Sequence, residues 1–339
     1  MFRRLLAALL LIALSAVALV LAWPQLFSVQ RVASIAQLVS FRGAAAVVAS
    51  LALVVLLVLA AASRRFRRLG LSLAALALVF ALVNAAVLAS RGFGDSSQTA
   101  RVATDLTVMS WNTLGDAPGP TVIAQLAIDS DADIVSLPET TEATAKAVAV
   151  LMTTAGLPMI SHTVAHGLVS KARSTSVLIS TALGAYHLEE AAGSTLTLPS
   201  LVMVPDSGAG PRIVAVHAVA PLPSELANWD ADLRWLAGSC RSRDVILAGD
   251  FNATLDHLAG LGSAPGATLG ACTDAAVQAK AGAVGTWPTG VPAPLGAPID
   301  HVMATSNWAV VGVRVVQNLD GAGSDHRPIV ARLRAAAAP

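Results

Sequence analysis

Polar side chains that could do chemistry recur where predicted apolar strands end. From Asp105 onward, short runs rich in Val and Ile, which are typical of strands, alternate with stretches of helical apolar spacing. Six carboxylate, amide or imidazole side chains stand at or just past one end of such a run: Asn112, Glu139, His217, Asp250, Asn252 and Asp300. Asp325 and His326 immediately precede the last run. Side chains at strand ends commonly assemble a site along a sheet edge. Oxygen donors suit a hard cation such as Mg²⁺, and a His–Asp pair can position an imidazole for proton transfer.

Each of these residues also has a purely structural interpretation. Asp250 and Asn252 are turn formers that follow a strand. Glu139 could cap the helix predicted near Thr141, and His217 could be an interior histidine with satisfied hydrogen bonds. The joint pattern, and not any single residue, favours a functional site.

Six short motifs occur in a fixed order along this half of the chain. They are Ser110-Trp111-Asn112, Leu137-Pro138-Glu139, Val216-His217-Ala218, Gly249-Asp250-Phe251-Asn252, Ile299-Asp300-His301 and Ser324-Asp325-His326-Arg327-Pro328. With these motifs, residues 105–335 resemble the endonuclease/exonuclease/phosphatase superfamily, which has the deoxyribonuclease I-like fold. The resemblance implies an α/β sandwich of two packed mixed sheets flanked by helices. It also implies an enzyme that hydrolyses phosphate esters with a bound metal.

The resemblance implies a metal site built from oxygen donors. Glu139 corresponds to the principal metal ligand, and Asn112 and Asp325 lie near the metal. The expected cofactor is Mg²⁺, with Mn²⁺ as a possible substitute. Two departures from the family pattern concern this site. Pro138 stands where many members have Gln, and Leu114 stands where some members have Asp, which weakens the case for a second metal position.

The resemblance also implies roles for the remaining polar residues. Asp250 corresponds to the base or water-orienting residue, and Asn252 corresponds to a phosphate-binding amide. Asp300 is expected to hold His326, which contacts the scissile phosphate. His217 matches a second histidine that acts on the leaving oxygen or the phosphate. Trp287 resembles a loop element near the active site of relatives, and it could equally anchor a loop rich in Gly and Pro.

The first part of the chain has a different composition. Residues 1–94 carry nine Arg and no Lys, Asp or Glu, whereas residues 95–339 have a formal charge of −8. Three uncharged apolar stretches, Leu5–Trp23, Ala44–Ala62 and Leu69–Ala89, are long enough to cross a bilayer as helices. The first stretch could alternatively be a signal peptide. Asn84, in the third stretch, is expected to form one interhelical hydrogen bond with no ionisable residue beside it.

The charge pattern predicts the topology and the domain organisation. Arg3 and Arg4, and the group Arg64, Arg65, Arg67 and Arg68, are placed in the cytoplasm by the positive-inside rule. We therefore expect a multi-pass cell-membrane protein whose catalytic domain is extracytoplasmic, whether or not the first stretch is cleaved. The expected divisions are a transmembrane region over 1–89, a flexible linker over 90–104 and a catalytic domain over 105–335. Outside the cytoplasm Cys240 and Cys272 could pair, which the sequence leaves open.

The substrate remains open at the level of sequence. Nucleic acid, a phospholipid and a small phosphoester are all compatible with the motifs. The acidic charge of residues 95–339 argues against tight binding to a long stretch of DNA. The expected partners are thus a phosphate-ester substrate and the lipid bilayer, and no protein partner can be inferred. The alternative function is a non-catalytic, membrane-tethered binding or sensor module that retains the fold.

Overall fold

The computed structural model describes residues 2–95, 100–167, 170–241 and 244–336. Residues 96–99 of the expected linker therefore lie outside the described residues. The described residues form nine α-helices: α1 (Phe2–Ala22), α2 (Ile35–Val39), α3 (Arg42–Ala62), α4 (Arg67–Arg91), α5 (Gly119–Asp129), α6 (Glu142–Thr154), α7 (Leu226–Ser239), α8 (Leu255–Leu258) and α9 (Ala275–Gln278).

The strands of the described residues follow α4 in the chain. They are β1 (Asp105–Ser110), β2 (Ile134–Pro138), β3 (Met159–Ala165), β4 (Ser174–Ser180), β5 (Tyr186–Leu188), β6 (Leu201–Pro205), β7 (Arg212–His217), β8 (Val245–Asp250), β9 (Thr273–Asp274), β10 (Asp300–Ala304), β11 (Trp308–Val315) and β12 (Ile329–Ala335).

Three of the helices, α1, α3 and α4, are long and apolar enough to cross a membrane. They contain the three apolar stretches found in the sequence almost residue for residue. Helix α3 begins at Arg42, two residues before the apolar stretch, and the Arg42 side chain is only 3% exposed. Its Nη1 donates a hydrogen bond of 2.8 Å to Oδ1 of Asn84 on α4. The expected interhelical bond of Asn84 is present, but the expectation that no ionisable residue accompanies Asn84 was wrong.

The strands form two six-stranded mixed sheets, which confirms the predicted fold class. The first sheet has the order β11-β12-β1-β2-β4-β3, and the second has the order β5-β6-β7-β8-β10-β9. In each sheet one central pair is parallel, β1 with β2 and β7 with β8, and its neighbours are antiparallel. Helix α5 connects β1 to β2, and α7 connects β7 to β8, as parallel neighbours require a crossover.

Alternating side chains of the central strands are buried on both faces of each sheet. Val108 and Ile246 belong to the core between the two sheets. Met109, the next residue of β1, packs with α5 and α6 instead, and Leu247 packs with α7. Burial on both faces explains why these strands are continuous apolar runs in the sequence.

The strands that the sequence did not predict lie mostly at or near sheet edges. They are β3, β5, β6 and β9. Strand β3 is half exposed along most of its length, and β5 and β9 have only three and two residues. Short or half-polar runs such as β3, β5 and β9 do not stand out from the apolar pattern, whereas β6 is a buried apolar run that was not predicted. The loop rich in Gly and Pro around Trp287 is irregular apart from one short 3₁₀ turn, Ala293–Leu295.

The segment between α1 and α3 folds back onto the α/β half of the chain. Nη1 of Arg31 donates to the carbonyl oxygen of His257 at 2.7 Å, and Nε2 of His257 donates to the carbonyl oxygen of Ala36 at 3.0 Å. Residues 90–95, with which the expected linker begins, also contact the α/β half, because the backbone N–H of Gly94 donates to the carbonyl oxygen of Lys280 at 2.7 Å. The helices and the α/β half therefore share an extended contact.

A disulfide joins Cys240, at the end of α7, to Cys272, just before β9. Their Cα atoms are 5.9 Å apart, which lies within the usual range for a disulfide. The structure thus resolves the question that the sequence left open, and it closes a loop of 32 residues on the outer face of the second sheet.

Candidate active site

The strand arrangement explains why polar residues at distant positions meet. The parallel strands β1, β2, β7 and β8 end near Asn112, Glu139, His217 and Asp250. Strand β10 is antiparallel to β8 and begins with Asp300 paired to Asp250. Strand β12 is antiparallel to β1 and begins with Ile329 paired to Ser110, so the residues just before β12 reach the same edge. All eight residues predicted for the site are brought to this edge of the two sheets.

Asn112 links two of the predicted acidic residues. Its Nδ2 donates to Oε1 of Glu139 and to Oδ2 of Asp250, both at 3.1 Å. Its Oδ1 accepts a hydrogen bond from the backbone N–H of Leu114 at 3.0 Å. In this orientation Asn112 holds the two carboxyl groups together and directs no oxygen between them, so its role as a metal ligand stays a prediction.

Glu139 occupies an unusual backbone conformation. Its φ is +58°, in the left-handed region that a residue with a side chain seldom adopts. The turn is held by its carbonyl oxygen, which accepts hydrogen bonds from Thr113 Oγ1 and the backbone N–H of Asp116. Burial raises the pKa of the Glu139 carboxyl above its ordinary value, against the opposing hydrogen bond from Asn112. Thr141 caps α6, so the capping role considered for Glu139 does not apply.

His326 is held by Asp300, as the sequence predicted. Nδ1 of His326 donates to Oδ2 of Asp300 at 2.9 Å. This bond leaves Nε2 facing two further carboxyl groups, with Oδ2 of Asp250 at 3.8 Å and Oδ1 of Asp325 at 4.0 Å. Burial alone lowers the pKa of His326, but the charges of Asp300 and Asp250 outweigh it and raise the pKa to about 10. His326 is therefore a protonated imidazolium at neutral pH.

Asp250, which faces Nε2 of His326, is a carboxyl group with a pKa near neutrality. Burial, followed by the neighbouring charge of Asp300, raises the pKa of Asp250 to about 7. Its carboxylate accepts hydrogen bonds from the backbone N–H of Asn252 at 2.8 Å and from Nδ2 of Asn252 at 3.2 Å. Nδ2 of Asn252 also donates to the carbonyl oxygen of Ala218. A carboxyl group with a pKa near neutrality can both accept and return a proton.

The two histidines of the site differ in charge. Burial, together with the charge on His326, lowers the pKa of His217 to about 3, so its imidazole is neutral. Nδ1 of His217 shares a hydrogen bond of 3.2 Å with Thr175 Oγ1, and Nε2 lies 3.9 Å from Oε1 of Glu139. His217 can accept or donate a hydrogen bond here, but His326 is the imidazole that carries a proton to give away.

Residues that the sequence did not assign to the site fix the loops around it. Nε1 of Trp287 donates to Oδ2 of Asp325 at 2.8 Å, which favours the active-site interpretation of this tryptophan over a plain loop anchor. Arg327 is 1% exposed. It pairs with Asp320 and donates to carbonyl oxygens of the loop that carries Trp287. Arg327 belongs to the motif Ser324-Asp325-His326-Arg327-Pro328, but no spacing rule in the sequence connected Arg327 to the loop that carries Trp287.

The side chains present fit a hard divalent metal. Carboxyl groups of Glu139, Asp250, Asp300 and Asp325 all lie at the site. The ligand atoms that lie within 4.8 Å of one another belong to Asp250, Asp300 and His326, a group that does not include the predicted ligands Glu139 and Asp325. Oδ1 of Asp300 is buried with no hydrogen-bond partner among the described residues. Carboxylate oxygens are the donors that Mg²⁺ and Mn²⁺ prefer. A divalent cation would also offset the mutual repulsion that raises the pKa of Asp250.

The site opens into a cavity of about 490 Å³ with two unlike walls. One wall is polar and consists of Asn112, Glu139, His217, Asp250, Asn252 and His326. The other wall is mostly apolar, and part of it is formed by Gln37, Ser40 and Phe41 from the segment before α3. The sequence offered no signal for this second wall, because the segment carries no motif and lies about 70 residues before Asn112.

Comparisons with known proteins agree with this geometry. The model of the Endonuclease/Exonuclease/phosphatase family matches residues 109–326, which is more than half of the chain. The crystal structure of an endonuclease/exonuclease/phosphatase from Beutenbergia cavernae DSM 12333 is 23% identical, with a TM-score of 0.52 over 70% of this chain and 73% of that chain. No curated protein matches the sequence.

Two structures of zebrafish (D. rerio) TDP2 have the same fold. One, of the protein humanized by 14 mutations, is 17% identical with a TM-score of 0.52, over 68% of this chain and 100% of that chain. The other, complexed with a single-strand DNA product, is also 17% identical, with a TM-score of 0.51 over 68% of this chain and 99% of that chain. The family match, together with a site of converging carboxylates and imidazoles, shows that this chain belongs to the endonuclease/exonuclease/phosphatase family and is a metal-dependent hydrolase of phosphate esters.

Proposed function

We propose that the protein is a membrane-anchored, Mg²⁺-dependent phosphodiesterase whose site faces the outside of the cytoplasm. The observation that carries the proposal is His326, held by Asp300 with its Nε2 directed at Asp250 and Asp325. We assign residues 1–89 to a transmembrane region, 90–104 to a linker and 105–335 to the catalytic domain.

The protonation states assign the two proton transfers to different residues, with Asp250 as the acceptor and His326 as the donor. A water oxygen forms a bond to phosphorus while the bond from phosphorus to the leaving oxygen breaks. One proton of the water passes to Asp250, and His326 donates the proton of Nε2 to the leaving oxygen. Asp300 stabilises the imidazolium before this transfer, and we assign a hydrogen bond to the phosphate to His217. The side-chain N–H groups of Asn252 already donate to Asp250 and to the Ala218 carbonyl, so its phosphate-binding role stays a prediction. When bound, Mg²⁺ polarises a phosphoryl oxygen, with Glu139 as its principal ligand and Asn112 and Asp325 beside it.

Four observations support the membrane placement. α1, α3 and α4 are long and apolar enough to span a bilayer. The segment between α1 and α3 and the residues after α4 both contact the α/β half, which requires them to lie on one side of the membrane. The arginine-rich turn between α3 and α4 lies at the other end of these helices, as the positive-inside rule requires of a cytoplasmic turn. The disulfide between Cys240 and Cys272 suits an oxidising compartment.

The proposed chemistry is tested with a water-soluble diester, bis(p-nitrophenyl) phosphate, and the full chain purified in detergent. We expect hydrolysis in Mg²⁺ or Mn²⁺, no hydrolysis in EDTA, and restoration when either metal is added back. His326→Gln and Asp250→Asn should each lower kcat by about 10²–10⁴-fold.

The matched control is the exposed pair His187–Asp206, in which Nδ1 of His187 also contacts an aspartate, at 2.5 Å. His187→Gln and Asp206→Asn make the same chemical changes away from the site and should leave kcat unaltered. Full activity in EDTA would contradict the metal dependence. Activity that survives in His326→Gln at the level of His187→Gln would contradict the assigned proton donor.

A further inference from the structure

We infer that the substrate is a membrane lipid phosphoester whose hydrocarbon chain stays among the membrane helices while its phosphate enters the catalytic cavity. This inference rests on the proposed function and adds the class of substrate. It is carried by three adjoining cavities that connect the catalytic residues to a groove between α1, α3 and α4.

The first step of this path is an aromatic contact at the active site. The ring of Phe41, directly before α3, lies 5.8 Å from the ring of Trp287, and the ring of Trp287 lies 6.5 Å from that of His326. A residue at the start of a membrane helix is thus two aromatic rings away from the proposed proton donor. The apolar wall of the catalytic cavity continues with Leu198, Val219 and Leu222, so a hydrocarbon group beside the phosphate would be shielded from water.

The second step is a junction cavity of about 570 Å³ between the α/β half and the helices. Gln37 and Phe41 line both this cavity and the catalytic one. Arg42 and Asn84 also line the junction cavity, but their polar groups are engaged. The Arg42 guanidinium donates to Asp256 and to Oδ1 of Asn84. The remaining lining is largely aliphatic, including Ala45, Val48 and Ala49.

The third step is an apolar groove of about 410 Å³ between the membrane helices. Leu21, Ala49 and Phe80 line both this groove and the junction cavity. The groove extends along α3 as far as Leu56. From Arg42 to Leu56 the helix rises about 21 Å, which exceeds half of the roughly 30 Å hydrocarbon core of a bilayer. The path along α3 is therefore long enough to take a single lipid chain over the full depth of one leaflet.

The charges at the site favour this substrate over a nucleic acid. Among the described residues that line the catalytic cavity there is no Lys or Arg, and residues 95–339 carry a formal charge of −8. Proteins that track a nucleic acid neutralise several phosphates with Lys and Arg. This cavity instead offers one phosphate-binding wall and one hydrocarbon-binding wall, which is the chemistry of a lipid phosphoester.

The test compares two chromogenic diesters that differ only in chain length, methyl p-nitrophenyl phosphate and hexadecyl p-nitrophenyl phosphate. The full chain is assayed in lipid nanodiscs with Mg²⁺. We expect kcat/KM to be higher for the hexadecyl ester by about tenfold or more, because burying even two methylene groups accounts for roughly that factor. Equal kcat/KM values would overturn the inference and leave the proposed function intact. Failure to hydrolyse either ester would refute the proposed function itself.

A matched pair of variants distinguishes binding of the hexadecyl chain in the groove from simple partitioning of the hexadecyl ester into the bilayer. Ala49→Trp fills the passage where the groove meets the junction cavity, and Ala49 is 8% exposed. Leu51→Trp adds the same ring on the same helix at a residue that is 62% exposed and lines neither cavity. The ratio of hexadecyl to methyl rates should fall toward one in Ala49→Trp and stay at the wild-type value in Leu51→Trp. If Ala49→Trp kept the wild-type ratio of rates, the inferred passage between the groove and the catalytic cavity would be contradicted.

Photo-crosslinking of the wild-type protein does not depend on the folding of a variant. A hexadecyl phosphate with a diazirine near the end of its chain is irradiated in nanodiscs, and the labelled peptides are identified by mass spectrometry. We expect labelling of the groove-lining parts of α3 and α4, around Leu56 and Leu73. Labelling confined to lipid-facing residues such as Leu51 and Val58, both 62% exposed, would overturn the inference.

Discussion

The contact between the three apolar helices and the α/β half contains one buried carboxylate, Asp256, that pairs with two arginines. This side chain is 2% exposed and accepts hydrogen bonds from Nε and Nη2 of Arg42, both at 2.8 Å. It also accepts from Nη1 of Arg91 at 2.9 Å and from Nε2 of Gln25 at 2.9 Å. Burial alone raises the pKa of Asp256, but the two guanidinium groups outweigh it and hold the pKa well below its ordinary value. Asp256→Asn keeps the shape of the side chain and removes its charge.

The expected loss of stability follows from the charges that remain. Arg42 is 3% and Arg91 15% exposed, so both guanidinium groups would be left with little solvent and no carboxylate. Breaking a buried ion pair from one side destabilises a protein by about 3–5 kcal/mol. For a chain of this size, 1 kcal/mol shifts Tm by roughly 2–4 °C. We therefore expect Asp256→Asn to lower Tm by about 6–20 °C.

The assay is thermal unfolding of the full chain in detergent micelles, followed by near-ultraviolet circular dichroism. The control is Asp230→Asn, the same change at a carboxylate that pairs with Arg31 and Arg234 but is 32% exposed. Exposed pairs contribute only about 0–1 kcal/mol, so its Tm should fall by no more than about 4 °C.

The reasoning would be refuted if the two variants lowered Tm equally. A second variant tests the cause of the loss. Arg42→Gln combined with Asp256→Asn removes one of the unpaired charges, and it should recover part of the lost Tm. If the double variant were less stable than Asp256→Asn alone, uncompensated charge would not be the cause.

Further predictions concern pH, the disulfide, the aromatic wall and topology. The pKa of Asp256 is lowered in the folded state, so the stabilisation that the Asp256 carboxylate provides is complete above about pH 4 and is lost as the pH falls through the pKa of the folded state. The Tm difference between wild type and Asp256→Asn should therefore shrink on acidification. A Tm difference that stays constant would contradict this. Cys272→Ser opens a loop of 32 residues and should reduce the unfolding free energy by about 4 kcal/mol in urea titrations, with no further effect of dithiothreitol. Trp287→Phe removes the N–H donor to Asp325 and should lower kcat/KM for the soluble diester about tenfold, whereas unchanged kinetics would show that the bond is dispensable. A reporter fused after Pro339 should be active only outside the cytoplasm, and cytoplasmic activity would reverse the proposed topology.

The sequence alone contained most of the candidate site, for a local reason. Each functional residue follows or precedes a strand that is buried on both faces, and such strands are apolar runs in which a single Asp, Asn or His is conspicuous. The motifs Gly249-Asp250-Phe251-Asn252 and Ser324-Asp325-His326-Arg327-Pro328 were therefore recognisable without knowledge of the strand order in the sheets. The three long apolar helices were predictable for a similar reason, because each forms a run of about twenty consecutive apolar residues, the length that crosses a bilayer.

Only the tertiary structure showed which residues surround that site. Phe41 and Trp287 are 246 residues apart in the sequence, and Arg42 and Asp256 are 214 apart. No periodicity or spacing rule relates positions so distant, since their contact depends on how two sheets and three helices pack. The same limit explains the different charges of the two histidines, because His217 ends one apolar strand and His326 precedes another, both in recognisable motifs. Burial beside two aspartates leaves His326 protonated, and burial without an aspartate leaves His217 neutral. Residue type and motif were determined by the sequence, whereas the charge states of the histidines and the second wall of the cavity were decided by packing.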